Sequence, residues 1–221
     1  MKEAVIFDMD GLMLDSKKAW NDAETRFVES CGKEFQPEVG KKYHGLRVQG
    51  MVEVMIREYQ LPLTQKEGEK RLRQYAKENF AKPSLKLLPG CKRLVEDLSA
   101  SGRYAMAVAS SAPVELVQAV VERFAFTNYF QALVSGEEVQ NGKPAPDVFL
   151  RAAELLKVEP MSCLVLEDVP NGIKAAKAAG MLAIAVSSHP YYPMESFEDA
   201  DKFVKSLEEL NVATIAELFG K

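Results

Sequence analysis

Five short apolar runs are spread along the chain, and each breaks off abruptly at polar residues. Ala4-Val5-Ile6-Phe7 stops at Asp8-Met9-Asp10-Gly11, and residues 104–109 stop at Ser110-Ser111. Residues 132–134 end at Ser135-Gly136, 163–166 at Glu167-Asp168, and 182–186 at Ser187-Ser188. Runs this short and this apolar suit strands buried on both faces, as in a parallel sheet. Helical periodicity separates the later runs, over 90–101, 113–124, 146–156 and 170–179. Strand–helix alternation with right-handed crossovers predicts an α/β fold with a doubly wound, mostly parallel sheet.

One stretch departs from the alternation. From 16 to 87 the pattern is helix upon helix, with spans predicted over 17–31, 48–60 and 64–81. Thr64-x-x-Glu67 reads as a capping box for the third, and Pro83 closes it. Pro89-Gly90 marks the return to the alternating pattern. The expected organisation is a catalytic core of residues 1–15 and 88–221, with residues 16–87 as a helical cap inserted after the first strand. An insert at a strand end lies over the crevice there.

Composition narrows the classes of function. The 221 residues are 47% hydrophobic and 27% charged, ordinary for a globular chain, and 28 Lys+Arg against 32 Asp+Glu give a net charge of −4. No nucleic-acid partner is expected, because the chain lacks an overall basic footprint. No membrane partner is expected either, since no run approaches the ~18 apolar residues of a span, and the N-terminus lacks an apolar signal segment. The three cysteines, Cys31, Cys91 and Cys163, are scattered and odd in number, as for reduced structural thiols. The expectation is a soluble, cytoplasmic monomer.

Ligands of open α/β sheets bind outside the carboxyl ends of the strands. The residues expected there are Asp8, Asp10, Ser110, Lys143, Glu167 and Asp168. Several carboxylates on one edge repel one another unless a cation neutralises them. All-oxygen ligands without His or Cys point to a hard ion, Mg2+ before Ca2+. Lys143 and the hydroxyl of Ser110 have no use for a metal and suit phosphoryl oxygens.

Four segments together carry a family resemblance. Asp8-Met9-Asp10-Gly11-Leu12-Met13-Leu14-Asp15-Ser16 resembles the first motif of the haloacid dehalogenase-like phosphatases, and Ala107-Val108-Ala109-Ser110-Ser111 the second. Gly142-Lys143-Pro144-Ala145-Pro146-Asp147 resembles the third motif, and Leu166-Glu167-Asp168-Val169-Pro170-Asn171-Gly172 the fourth. The insert is similar to the small cap of the β-phosphoglucomutase-like subgroup. The resemblance implies a Rossmann-like core and hydrolysis of a small phosphorylated metabolite, such as a sugar phosphate, through an aspartyl-phosphate. It implies Asp8 as nucleophile and Asp10 as general acid and base. Mg2+ would be held by Asp8, Asp10 through its backbone carbonyl, Glu167 and Asp168. Ser110, Ser111 and Lys143 would bind phosphate, and the N–H groups of Asp10 and Gly11 would extend that cradle.

In the cap, Trp20, Asn21, His44 and Arg47 are candidate pocket residues, Arg47 because the turn His44-Gly45-Leu46-Arg47 would present it to an anionic or hydroxylated ligand. Seven basic against three acidic residues in 66–86 form either a solvated face or a phosphate-steering surface. His189 reads as a loop residue. The alternative of a phosphomutase is weakened because that subgroup's pattern has a His near position 20, where Trp20 stands, and an Arg closer to the cap glycine. A catalytically silent phosphate-binding module is a non-enzymatic alternative. A P-loop fails because Glu137 stands where its first Gly belongs and Pro144 replaces the hydroxyl residue. A Ser-His-Asp hydrolase lacks a suitable His and any Gly-x-Ser-x-Gly elbow.

Overall fold

The computed structural model describes residues 2–187 and 192–220. Its centre is a six-stranded, all-parallel sheet of β1 (Glu3–Phe7), β2 (Tyr104–Ser110), β3 (Ala132–Ser135), β4 (Cys163–Glu167), β5 (Leu182–Val186) and β6 (Lys202–Val204). The spatial order is β3-β2-β1-β4-β5-β6, so the winding reverses between β1 and β4. Phe7 lies level with Val108 on one side and Leu166 on the other. The polar residues that follow each strand therefore emerge side by side. Two of them, Ser110 and Glu167, are the last residues of their strands.

Side-chain alternation divides the sheet into two unequal faces. Val5, Phe7, Met106, Val108, Leu164 and Leu166 pack toward α5 (Cys91–Ala100) and α6 (Val114–Arg123). Ala4, Ile6, Ala105, Ala107 and Ala109 pack toward α7 (Asp147–Leu156) and α8 (Pro170–Ala178). The alanine-rich face lets its helices sit close, while the bulkier face fills a deeper layer. The sequence pattern did not reveal β6 or α9 (Val212–Phe219). A three-residue edge strand carries too little alternation to detect.

The helical region contains α1 (Lys17–Glu29), α2 (Pro37–Gly40), α3 (Val48–Tyr59) and α4 (Gln65–Phe80). Only α2, a single turn, was unforeseen. The Thr64 capping box forms as read, with Glu67 N–H donating to Thr64 Oγ1 at 3.3 Å and Thr64 N–H to Glu67 Oε2 at 2.9 Å. The chain leaves and re-enters the sheet layer through two segments that run antiparallel, bridging Leu14 to Leu87. Asp15 N–H donates to Lys86 O at 3.0 Å and Leu88 N–H to Met13 O at 2.9 Å. Among the described residues no helix is long and apolar enough to cross a membrane. Cys91 and Cys163 are buried, Cys31 is half-buried, and all three are free. His189 lies outside the described residues.

Candidate active site

β1 delivers Asp8 to the reversal point, where its backbone N–H still pairs with Leu166 O at 3.0 Å. Its side chain is buried, and Lys143 Nζ donates to Asp8 Oδ1 at 2.6 Å. The same ammonium donates to Glu167 Oε1 at 2.6 Å and sits 4.8 Å from the centre of the Phe149 ring. Glu167 is fully buried, and its other oxygen accepts the N–H groups of Asp168 and Val169 at 2.7 and 2.9 Å. One buried lysine is thus clamped between two carboxylates from different strand ends. Its charge is favoured by that pairing, which holds its pKa above the ordinary value despite burial.

Carboxyl oxygens of Asp8, Glu167 and Asp168 all lie within 4.8 Å of one another. Asp168 Oδ1 is buried without a hydrogen-bond partner among the described residues. Burial, reinforced by the neighbouring carboxylates, pushes Asp168 well above the usual carboxylate range. Asp8 is pushed up to about 8, because burial outweighs the attraction of Lys143. A hard divalent cation fits this set: it would partner the orphaned oxygen and remove the repulsion. Asp8, Glu167 and Asp168 are the side chains that could hold it; the Asp10 carboxyl is not among them. Two glycines allow the crowding. A Cβ on Gly11 would lie 2.1 Å from Asp168 Oδ2, and one on Gly172 would lie 1.8 Å from Glu167 Oε1.

Asp10 faces the helical region instead. The indole Nε1–H of Trp20 donates to Asp10 Oδ1 at 3.0 Å, and burial raises the Asp10 pKa against its hydrogen bonds from Trp20 and Ser16. The Trp20 ring packs edge-on against Phe80, centroids 5.5 Å apart. Ser110 ends β2 beside this group, its Oγ accepting the Ala112 N–H at 3.0 Å. Ser111 Oγ donates to the Gly45 carbonyl at 2.9 Å, so its hydroxyl ties the sheet edge to the turn before α3. The Gly11 N–H, expected to cradle an anion, donates to Leu14 O at 3.0 Å and is already spent within its own turn.

Arg47 is the clearest departure from expectation. It turns away from the pocket and donates to the carbonyls of Gly136 and Val139 at 3.0 Å and of Gln140 at 3.2 Å. A guanidinium carries several donors in a fixed fork, and three clustered carbonyls match it better than a solvent-filled pocket does. Its shaft lies on glycine: a Cβ at Gly142 would be 3.0 Å from Arg47 Nε. In the basic stretch 66–86, Arg73 pairs with Glu137 and Glu115 across the same boundary. None of that stretch lines the cavity.

The cavity between the two layers is about 200 Å3. Asp8, Asp10, Ser110, Ser111, Lys143, Glu167 and Asp168 form one end of its lining; Trp20, Asn21, Glu24, Tyr43 and His44 belong to the other. The pKa of His44 is lowered, first by burial and then by Lys17. Glu24 and Tyr43 were missed in the sequence, although Glu24 shares the helix stripe of Trp20 and Phe27 at i, i+4, i+7 spacing.

A sheet-edge site with a buried carboxyl beside an ammonium and a cation-competent acidic group suits an α/β enzyme acting on phosphoryl groups. The chain belongs to the haloacid dehalogenase-like hydrolase family, whose model matches residues 5–186, and it is a phosphoric monoester hydrolase. It is similar to the "Probable pseudouridine-5'-phosphatase" of Drosophila melanogaster, 33% identical over 92% of this chain and 89% of that protein. It also resembles the "Phosphorylated carbohydrates phosphatase" of Thermotoga maritima, 31% identical over 95% of this chain and 97% of that one. A β-phosphoglucomutase structure from Clostridium difficile superposes with a TM-score of 0.87 over 100% of this chain and 98% of its own, at 21% identity, which shows the shared fold.

Proposed function

We propose that this enzyme hydrolyses a small phosphorylated metabolite, a sugar phosphate by preference, through a phosphorylated Asp8. The observation that carries the reading is the convergence on Asp8 of Lys143 from one strand-end loop and the acidic pair Glu167-Asp168 from another. The names of the Drosophila and Thermotoga relatives support a phosphorylated small molecule, the second of them a carbohydrate.

A carboxylate oxygen of Asp8 attacks phosphorus, the P–O ester bond breaks, and the leaving oxygen takes its proton from Asp10. Asp10, now ionised, removes a proton from water, which attacks the phosphorus of the aspartyl-phosphate and releases inorganic phosphate with the Asp8 carboxylate restored. Two steps replace one difficult displacement. The first requires Asp10 protonated, and burial favours that form. Lys143 and the Ser110 hydroxyl hold the charge of the phosphoryl oxygens, a role in which a fixed ammonium in a dry site is strong. Mg2+ on Asp8 and Asp168, with Glu167 close by, would supply positive charge that keeps Asp8 ionised and steadies the phosphoryl group.

Hydrolysis is favoured over mutase chemistry because Trp20 reaches Asp10 with a non-titrating donor, where the mutase pattern would place a histidine. The test is phosphate release across sugar phosphates, nucleotides and small organic phosphates, with and without Mg2+. Metal-dependent release that is strongest on a sugar phosphate is expected. Isomer formation without free phosphate, or release indifferent to Asp8→Asn, would overturn the reading.

A further inference from the structure

Glu24 is a buried carboxyl that the chemistry at the strand ends does not use. It is 6% exposed, sits on α1 and lines the cavity that holds Asp8. Trp20, one turn earlier on the same helix, touches Asp10. At 1.5 Å per residue, Glu24 lies about 6 Å from Trp20 along the helix axis, a span that the body of a small phosphate ester would cover if its bridging oxygen met Asp10.

We propose that Glu24 is a specificity-determining residue, accepting hydrogen bonds from hydroxyl groups on the leaving portion of a polyhydroxylated phosphate ester. The proposal rests on the phosphatase reading above and narrows its substrate. Three observations carry it. First, the carboxyl is anchored at one oxygen and lines the cavity: Tyr43 Oη donates to Oε2 at 3.0 Å, which fixes the side chain where a ligand would lie. Second, its surroundings in the cavity are largely apolar, with Phe35, Pro37, Leu46, Val48 and Met51 in the lining. An acidic group in such a place is costly unless donors arrive, and burial pushes Glu24 up to about 7. Third, the charge pattern orients a ligand. A phosphoryl group is drawn to Lys143 and repelled by a carboxylate, whereas hydroxyl groups donate to one. A site built to hydrogen-bond substrate hydroxyls rejects analogues lacking them far more strongly than an apolar pocket rejects a missing methylene.

The experiment measures kcat/KM for a hexitol phosphate and for p-nitrophenyl phosphate, which has no hydroxyl on its leaving group. Wild-type protein, Glu24→Gln and Glu24→Leu are compared, each with its thermal midpoint. Wild type is expected to prefer the hexitol ester. Glu24→Leu should reduce that preference at least about tenfold and Glu24→Gln, which keeps the Tyr43 bond, about threefold or more. A preference unchanged in either folded variant, or equal losses on both substrates, would overturn the role of Glu24 and leave the phosphatase reading standing. If Glu24→Leu does not fold, Glu24→Gln alone decides by the same criterion. Wild-type hydrolysis of the aryl ester without preference for hydroxylated esters would overturn the substrate class. Release of phosphate from no ester would overturn the phosphatase reading itself.

Discussion

The two ends of the cavity solve opposite problems with the same residue type. At the sheet edge, Asp8, Glu167 and Asp168 are packed together with Lys143 between two of them, so buried charge is answered by buried charge. In the helical region, Glu24 accepts from one phenol, in a lining that mixes apolar residues with Lys17, Asn21, Lys41 and His44. Desolvation raises both Asp8 and Glu24; at Asp8 the attraction of Lys143 opposes it, and at Glu24 the Tyr43 hydrogen bond does. On the proposed reading, the sheet-edge acids would carry the chemistry common to all substrates, and Glu24 would select among them.

Breaking the sheet-edge side should give the largest effects. Asp8→Asn is expected to lower kcat at least ~10^4-fold on every ester while phosphate mimics such as vanadate still bind, measured by phosphate release and by calorimetry. If that variant loses turnover on sugar esters only, the division between the two ends is wrong. Lys143→Met leaves Asp8 and Glu167 buried beside each other. It should cost about 3–5 kcal/mol of stability in urea titrations as well as activity. Stability equal to wild type would show that the ammonium is not their structural partner.

The cap side sharpens the contrast through pH. Glu24 titrates near 7 in the folded chain against an ordinary value of 4.5. Its folded pKa is raised, so its favourable contribution is complete below about 4.5 and is lost as pH climbs through 7. Glu24→Gln should therefore unfold at a higher temperature than wild type at pH 8 and at a nearly equal temperature at pH 4. The gain is of order 1–3 kcal/mol. Greater stability with poorer selectivity is the usual trade at a functional site. No difference between the two pH values would remove the titration of Glu24 from the account. The smallest effect is expected at the boundary between the layers: Arg47→Ala should lower kcat/KM roughly fivefold on both the hexitol and aryl esters, about 1 kcal/mol, through looser closure. Faster amide exchange in residues 44–48 would check it.

The sequence made the sheet-edge half legible because strand ends must present their next residues at one place, and a parallel sheet aligns them. Asp8, Glu167 and Asp168 follow from that rule although more than a hundred residues separate the first from the others; Lys143, in the loop between β3 and α7, is marked instead by the third family motif. The cap half resisted because its meaning depends on how helices pack. Arg47 sits in a glycine turn that faces the cavity by sequence, yet its fork is drawn to three carbonyls of the loop from Gly136 to Gln140. Glu24 lies among Lys17, Lys18 and Asp22, with no motif to single it out. Only its register with Trp20 and Phe27 gives it away. β6 failed for a simpler reason, since three edge residues hold almost no periodic information.

The indole that grips Asp10 belongs to the cap, while Asp10 belongs to the loop beneath. A shift of α1 away from the sheet edge would break that bond, and because a donated N–H favours the ionised carboxyl, its loss would alter the acidity of Asp10.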